Sequence, residues 1–414
     1  MLRTPLLSAF LICFTIGLSA AAEPPIRPGD RIAIVGNTFA DQLRIHGYLE
    51  TLLLQQTRDN PISIRNLAWG GDMVSARDRP TGFPTEEKTL REHKTDVIIA
   101  CFGMGESFAG ENGLEKFRSQ LANLIDAYAG KTYNGLSTVR LILVSPIACE
   151  DLGSLTPNCD KRNEELSAYR WAMQEVASDA KIHFVDLFET SRYLMEESEG
   201  PNLTNNGIHL NDYGYWAISH SFLNQLLANE RSIDSQAWTL RIDAETQTTD
   251  SHGVAISDLS TTDSKFFFRV QETSPPRLPP PTAVPLPPQL DFVRDRLIVD
   301  HLRSGRYQLT IDGESIVTAT AEAWAEGVAI DSSPAHQELE KFRSVVNDKN
   351  LQFTYSWKAL NQVHIVGERR TSPSGQALPQ EVIEFNQLAN DLDEELRAGI
   401  ELKTRNWCLT RTSD

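Results

Sequence analysis

Residues Arg31–Thr38 read RIAIVGNT. One charged residue opens the stretch, a run of strand formers follows, and a Gly-Asn-Thr corner closes it. The next residues, Phe39–Gln56, read as one helix with an apolar stripe of Phe39, Leu43, Leu49, Leu52 and Leu53. A first strand, a tight corner and a helix is where an open α/β domain sets its first functional group, at the carboxyl end of the strand. Thr38 stands at that place.

Five apolar segments alternate with helical ones: Arg31–Gly36 at the head of this stretch, then Ile62–Ala68, Asp96–Phe102, Val139–Ser145 and Ile182–Leu187. All are rich in Ile, Val and Leu without strict alternation, as strands buried on both faces require. Helical patterns cover Leu114–Tyr128, Glu164–Ser178 and Tyr213–Leu227. The expected domain is a three-layer α/β/α unit with a five-stranded parallel sheet, spanning 23–234 and filling roughly Asp30–Glu230.

Beyond it the texture changes. Trp238–Asp243, Lys265–Val270, Arg296–Val299, Tyr307–Ile311 and Ser315–Ala319 read as strands, with Asp312-Gly313 as a hairpin turn. Residues 235–330 therefore form a small β module. Inside it, 274–289 is proline-rich, a semi-rigid extended spacer that cannot join a central sheet. Helical patterns return at Gln337–Val346 and Ile383–Arg397 with a polar loop at Arg369–Gln380 between them, so 331–414 is expected to be a helical region.

The first 22 residues are set apart from the fold. Arg3 gives a positive start, Leu6–Leu18 is apolar but short for a membrane span, and Ala20-Ala21-Ala22 suits cleavage. A signal peptide implies a secreted or periplasmic protein. No later segment is long and apolar enough to cross a bilayer. The formal charge of −17 becomes −18 once Arg3 leaves. Such a chain repels nucleic acid and anionic lipid, so neither is an expected partner. Of the cysteines left, Cys149 and Cys159 flank one loop and are the nearest candidates for a disulfide; Cys101, inside an apolar strand, reads as a buried free thiol. No Cys or His spacing suggests a metal, and no cofactor is implied.

Four blocks stand at strand ends: Gly36-Asn37-Thr38, Asn66 through Asp72, Phe102-Gly103-Met104-Gly105-Glu106-Ser107, and Asn206-Gly207-Ile208-His209-Leu210-Asn211. In order and spacing they resemble the SGNH/GDSL hydrolases, a family of esterases and lipases with a flavodoxin-like fold. A closer resemblance is to a secreted subgroup with Gly-Asn-Thr in place of Gly-Asp-Ser. Phe108 through Phe117, Ser145 through Leu152 and Lys349 through Trp357 carry that likeness. The resemblance implies Thr38 as nucleophile, Gly71 and the position of Gly105 as oxyanion hole, His209 as base and Asn206 as its orienter. Two of these depart from the family: position 105 lacks the usual asparagine and position 206 the usual aspartate.

Each departure has a chemical consequence. The methyl of threonine stiffens χ1 and crowds the line of attack. Glycine at 105 removes one oxyanion donor, worth about 10²–10³ in rate elsewhere. Asn206 can hold an imidazole but cannot stabilise an imidazolium; the comparable change in a protease triad costs about 10⁴. Asn37, Asp72, Glu106, Glu150 and Asp212 lie at the expected rim, and one of the four carboxylates could orient His209 instead. The alternatives are plain: the carboxylates as solvated surface groups, Thr38 as a helix N-cap, Gly70-Gly71 as a turn, His209 as a helix-start histidine. Two functions follow. One is a secreted ester hydrolase of impaired activity, on acylated carbohydrate rather than lipid. The other is a glycan- or acyl-binding protein on a hydrolase scaffold that no longer turns over. A further possibility is that the β module and proline segment mount the domain in a larger assembly.

Overall fold

The computed structural model describes residues 24–80, 83–196, 200–227, 237–262, 264–281, 292–360 and 371–412. The signal peptide expected at 1–22, residues 282–289 of the proline-rich segment and the expected boundary at 234–235 lie outside them.

Five strands form one parallel sheet: β1 (Arg31–Gly36), β2 (Ser63–Asn66), β3 (Val97–Cys101), β4 (Arg140–Val144) and β5 (His183–Val185), in the order β2-β1-β3-β4-β5. All but the terminal residues of β1 to β4 are buried, which is why these segments read as unbroken apolar runs. Among the described residues of this unit, seven helices flank the sheet: α1 (Thr38–His46), α2 (Tyr48–Gln56), α3 (Glu86–His93), α4 (Leu114–Tyr128), α5 (Cys159–Ala180), α6 (Leu187–Met195) and α7 (Asp212–Leu227). The chain thus has the expected α/β fold, with the carboxyl ends of β1, β2 and β3 side by side.

The helix expected over Phe39–Gln56 is two. Gly47 breaks it at φ 68°, closing α1 with its N–H on the Leu43 carbonyl at 3.1 Å and opening α2. A Cβ at Gly47 would lie 2.1 Å from Asn347 Oδ1, so a distant helix also requires the glycine.

The second unit has, among the described residues, nine strands in two sheets. They are β6 (Thr239–Asp243), β7 (Thr249–His252), β8 (Val254–Thr261), β9 (Lys265–Glu272), β10 (Arg296–Asp300), β11 (Arg306–Ile311), β12 (Glu314–Thr320), β13 (Val328–Ala329) and β14 (Thr404–Thr412), with α8 (Ala321–Glu326) before β13. The sheets run β13-β10-β6-β7 and β12-β11-β14-β9-β8. They share a core around Trp238, Phe268, Trp324 and Trp407. The C-terminal region, expected to be helical, thus ends in strand β14. Its buried Arg405, Trp407 and Leu409 alternate with more exposed neighbours, and it pairs with both β9 and β11.

Between β13 and β14 run α9 (Pro334–Trp357) and α10 (Pro373–Arg397), both longer than their apolar patterns suggest. Caps explain the early starts: Ser333 and His336 form a capping box ahead of Pro334, and Ser372 caps α10 ahead of Pro373. The polar loop expected through Gln380 is therefore helix from Pro373. This hairpin covers the β2 side of the sheet. Lys349 is fully buried, bonded to Glu50 and to the Ile64 carbonyl at 3.0 Å, while Arg65 reaches Asp393 at 2.6 Å and Asn390 at 2.9 Å. The described part of the proline segment is a packed strap rather than a free spacer. Arg277 is buried beside His220, and Trp216 donates to the Leu278 carbonyl at 2.9 Å.

Candidate active site

Thr38 is not the cap of α1. Asn37 takes that role, its Oδ1 accepting the Phe39 N–H at 3.1 Å, while the Asn37 N–H donates to the Cys101 carbonyl at 3.1 Å. The latter bond ties the end of β1 to the end of β3. Gly36 makes it possible: at φ 141° its Cβ would stand 2.2 Å from that same carbonyl. Released from capping, the Thr38 hydroxyl accepts the Gly71 N–H at 3.3 Å.

Block two is held by its backbone. The N–H groups of Leu67 and Trp69 donate to the carbonyls of Ile34 and Gly36 at 2.7 and 3.1 Å. Buried Asn66 bonds the Ala40 carbonyl at 2.7 Å and the Ala68 N–H at 3.0 Å. These bonds carry Gly70-Gly71 to Thr38; a Cβ at Gly70 would lie 3.6 Å from its Oγ1.

Block three brings Gly105 beneath Met73, whose Cε and Cγ lie 3.2 and 3.3 Å from where a Cβ would stand. The space of the family's asparagine thus borders a thioether that nothing in a single sequence marked. Arg162 of α5 fixes the loop. It donates to the Met104 carbonyl at 2.9 Å and to Ser107 Oγ at 2.6 Å, and stacks 3.7 Å from the Phe108 ring centre. Arg162 also escaped sequence reading, since no motif surrounds it.

In block four both ends of the Asn206 amide reach His209 Nδ1, Nδ2 at 3.0 Å and Oδ1 at 3.2 Å; Oδ1 also accepts the His209 N–H at 3.0 Å. The two contacts ask for opposite tautomers. Nδ2 donating to Nδ1 places the ring proton on Nε2, whereas Nδ1–H donating to Oδ1 leaves Nε2 free to accept. Only the second serves a base. Among the described residues no hydrogen bond joins Thr38 to His209. His209 stands three residues before α7, which meets α1 through the Tyr215 hydroxyl on the Phe39 carbonyl at 3.1 Å.

The four rim carboxylates are occupied elsewhere. Asp72 is buried and takes two bonds from Arg79, at 2.9 and 2.6 Å. Glu106 accepts the N–H groups of Val74 and Gly103 at 2.7 and 2.9 Å, joining block two to block three. Glu150 is buried and accepts from Leu203 N and Thr204 N, both at 2.7 Å, and from the Thr204 hydroxyl; it builds the loop that carries His209. Asp212 bonds His46 Nδ1 at 2.8 Å and the Tyr48 hydroxyl at 3.1 Å. The His46 bond holds its carboxyl below the usual range. None is bonded to His209.

Cys149 and Cys159 are free thiols, the Cys159 Sγ donating to the Cys149 carbonyl at 2.9 Å. Burial pushes the Cys101 thiol far up, which makes it inert. Among the described residues no group of three or more His, Cys, Asp or Glu is placed to hold a metal, and no helix is long and apolar enough to cross a membrane.

Residues 29–217 match the GDSL-like lipase/acylhydrolase family. The matched stretch of this GDSL-like domain holds all four blocks, from Thr38 to His209. Among solved structures, a gut microbial diltiazem-metabolizing enzyme superposes on 95% of this chain and 99% of its own, with TM-score 0.69 and 16% identity. The likeness is one of fold, and it extends through the β module and helical hairpin. A catalytic mutant of the acetylxylan esterase Axe2 from Geobacillus stearothermophilus covers 49% of this chain and 96% of its own, with TM-score 0.38 and 16% identity. An alpha/beta hydrolase from the metagenome of Lake Arreo, Spain, covers 49% and 97%, with TM-score 0.36 and 18% identity. No curated protein matches the chain.

Proposed function

We propose that this chain is a secreted or periplasmic ester hydrolase of low intrinsic rate, acting on small acyl groups carried by carbohydrate. The observation that carries the reading is the Gly71 N–H set 3.3 Å from a Thr38 hydroxyl that Asn37 has released from capping. A backbone donor beside a free hydroxyl at a strand end is the minimum that acyl transfer needs. Thr38 Oγ1 attacks the ester carbonyl and passes its proton to His209 Nε2. The Gly71 N–H turns from Oγ1 to the developing oxyanion. The imidazolium then protonates the departing sugar oxygen as its bond to the acyl carbon breaks, and water, deprotonated by His209, attacks the acyl-enzyme; the acid leaves as His209 returns the proton to Thr38 Oγ1.

The low rate rests on the two substitutions. Gly105 offers no side-chain donor, and Asn206 holds His209 in a contact that also suits the unproductive tautomer. The carbohydrate rests on exposure. Gly70, Gly71, Asn206 and His209 all face solvent, as suits a short acyl group on a polymer. A hydrolysis screen with acetyl and longer acyl esters of oligosaccharides, beside His209→Ala, tests the proposal. Turnover of acetyl esters that His209→Ala lowers supports it; equal rates in both proteins contradict it.

A second reading has its own support. Met73 occupies the room beside Gly105, so the pocket could be rebuilt to hold a glycan without turning it over. Binding of an acylated oligosaccharide with no acid released over long incubation would favour it.

A further inference from the structure

Beside Trp69, the residue that leads into Gly70-Gly71, lies a half-open cavity of about 380 Å³. Arg77, Arg79, Pro80, Phe83, Thr85 and Trp357 line it. Its volume falls within the range of small-molecule sites. Trp357 closes the end of α9, more than 270 residues along the chain from Phe83, so the helical hairpin supplies a wall that the GDSL-like domain lacks on its own. Three aromatic rings meet edge to face here: Trp69 with Phe83 at 5.9 Å, Trp69 with Trp357 at 5.9 Å, and Phe83 with Trp357 at 5.2 Å between centres. Arg79 and Lys358 each lie 4.9 Å from the Trp69 ring centre.

The polar groups at this cavity come as fixed pairs. Arg79 grips Asp72 through two bonds, and Arg77 binds Glu86 at 2.7 Å. Trp357 is 6% exposed, and its indole N–H is fully buried.

We infer that this cavity is a subsite for a neutral pyranose ring, formed jointly by residues 77–80 and 83–86 and the end of α9. The inference deepens the carbohydrate-ester reading and rests on it for the direction in which the ester points. The chemistry selects the ligand by exclusion and by fit. An anion would meet two guanidinium groups that Asp72 and Glu86 already neutralise. An acyl chain would cover two ion pairs while offering them no partner. A sugar ring presents an apolar C–H face to the aromatic and proline walls. Its hydroxyls, each donor and acceptor at once, match guanidinium donors set beside carboxylate acceptors. The Trp69 N–H bond to the Gly36 carbonyl at 3.1 Å fixes this wall to the strand end that carries Thr38.

The test is titration calorimetry on the full mature chain with xylotetraose, cellotetraose, mannotetraose and tetra-N-acetylchitotetraose, and with tetragalacturonate as the anionic counterpart. At least one neutral tetrasaccharide should bind saturably. Trp357→Ala and Phe83→Ala should each weaken that binding by about tenfold, while Trp357→Phe keeps most of it. Trp171→Ala, which removes an exposed indole on α5, should leave it unchanged. Phe83→Ala decides the matter if Trp357→Ala fails to fold. No binding by any neutral sugar, binding of tetragalacturonate alone, or undiminished binding in the folded variants overturns the subsite. Hydrolysis of p-nitrophenyl acetate and of the acetylated oligosaccharides, followed on the same samples, separates the two claims. Turnover without sugar binding removes the subsite and leaves the esterase reading. Sugar binding without any turnover removes the esterase reading and leaves the subsite.

Discussion

A side chain added at Gly105 meets Met73 before it meets solvent, with the thioether 3.2 Å from the new Cβ. Gly105→Asn alone should therefore raise esterase activity little. Paired with Met73→Ala, which clears the space, it should gain at least about tenfold in kcat, part of the 10²–10³ that one oxyanion donor is worth. Steady-state kinetics on p-nitrophenyl acetate checks this, and equal rates for the single and paired variants would contradict it. Asn206 makes a sharper case. Asn206→Asp leaves only oxygens facing Nδ1, which forces the proton onto Nδ1 and frees Nε2. The expected result is a rise of about 10²-fold or more in kcat, read by steady-state kinetics on p-nitrophenyl acetate. Block order and strand context singled out Thr38, Gly71 and His209, and the structure joins the first two by a hydrogen bond. The occupation of Asp72, Glu106, Glu150 and Asp212 was not legible, because each is bonded to residues that only folding brings near. Glu150 is the clearest instance: its bonds go to a loop 53 residues on.

At the scale of elements, a buried ion network fastens the α9–α10 hairpin to the sheet. Lys349 is fully buried between Glu50 and Asp393, and Arg65 shares Asp393. Lys349→Ala leaves Glu50 buried with Asn350 as its remaining partner and should cost about 3–5 kcal/mol. Gly47→Ala should cost about 1–3 kcal/mol, from a left-handed backbone and the contact with Asn347. Urea midpoints measure both, and a Gly47→Ala protein as stable as its parent would show that the helix break is not needed. The strands of the sheet were legible because burial on both faces writes a continuous apolar run; the range of β1 matches its reading residue for residue. The hairpin was half legible. Its start is set by caps at Ser333 and Ser372 rather than by apolar spacing, and α10 is largely exposed, so its composition resembles a loop.

For the whole molecule, opposing titrations set the pH of greatest stability. Burial holds His220 well below its ordinary 6.5 and His93 at about 3. The unfolded chain protonates these groups first, so stability falls as pH drops below about 6.5. Asp393, held low by Lys349 and Arg65 against the cost of burial, adds to the loss below 3.8. Glu272 acts the other way. Burial, and then Asp295, push it up to about 8 from 4.5. The folded chain keeps a proton that the unfolded chain releases, so stability is lost as pH rises from 4.5 to about 8. Between 4.5 and 6.5 these two histidines, joined by His183, which burial also lowers, outweigh one glutamate; above 6.5 only the glutamate remains. Stability to urea should therefore peak near pH 6.5, and Glu272→Gln should flatten the alkaline side. A monotonic rise through pH 8.5 would contradict this balance.

The central claim is that Thr38 and His209 form an acyl-transfer pair slowed by the groups missing at 105 and 206. One kinetic comparison tests it most directly: acetyl ester hydrolysis by the parent and by a Met73→Ala, Gly105→Asn, Asn206→Asp variant, each with and without Thr38→Val. The residues act as a unit, so the single factors do not multiply. The expected result is a gain of about 10³-fold or more over the parent, abolished when Thr38→Val removes the hydroxyl. A folded triple variant no faster than the parent, or one whose rate survives Thr38→Val, would contradict the account.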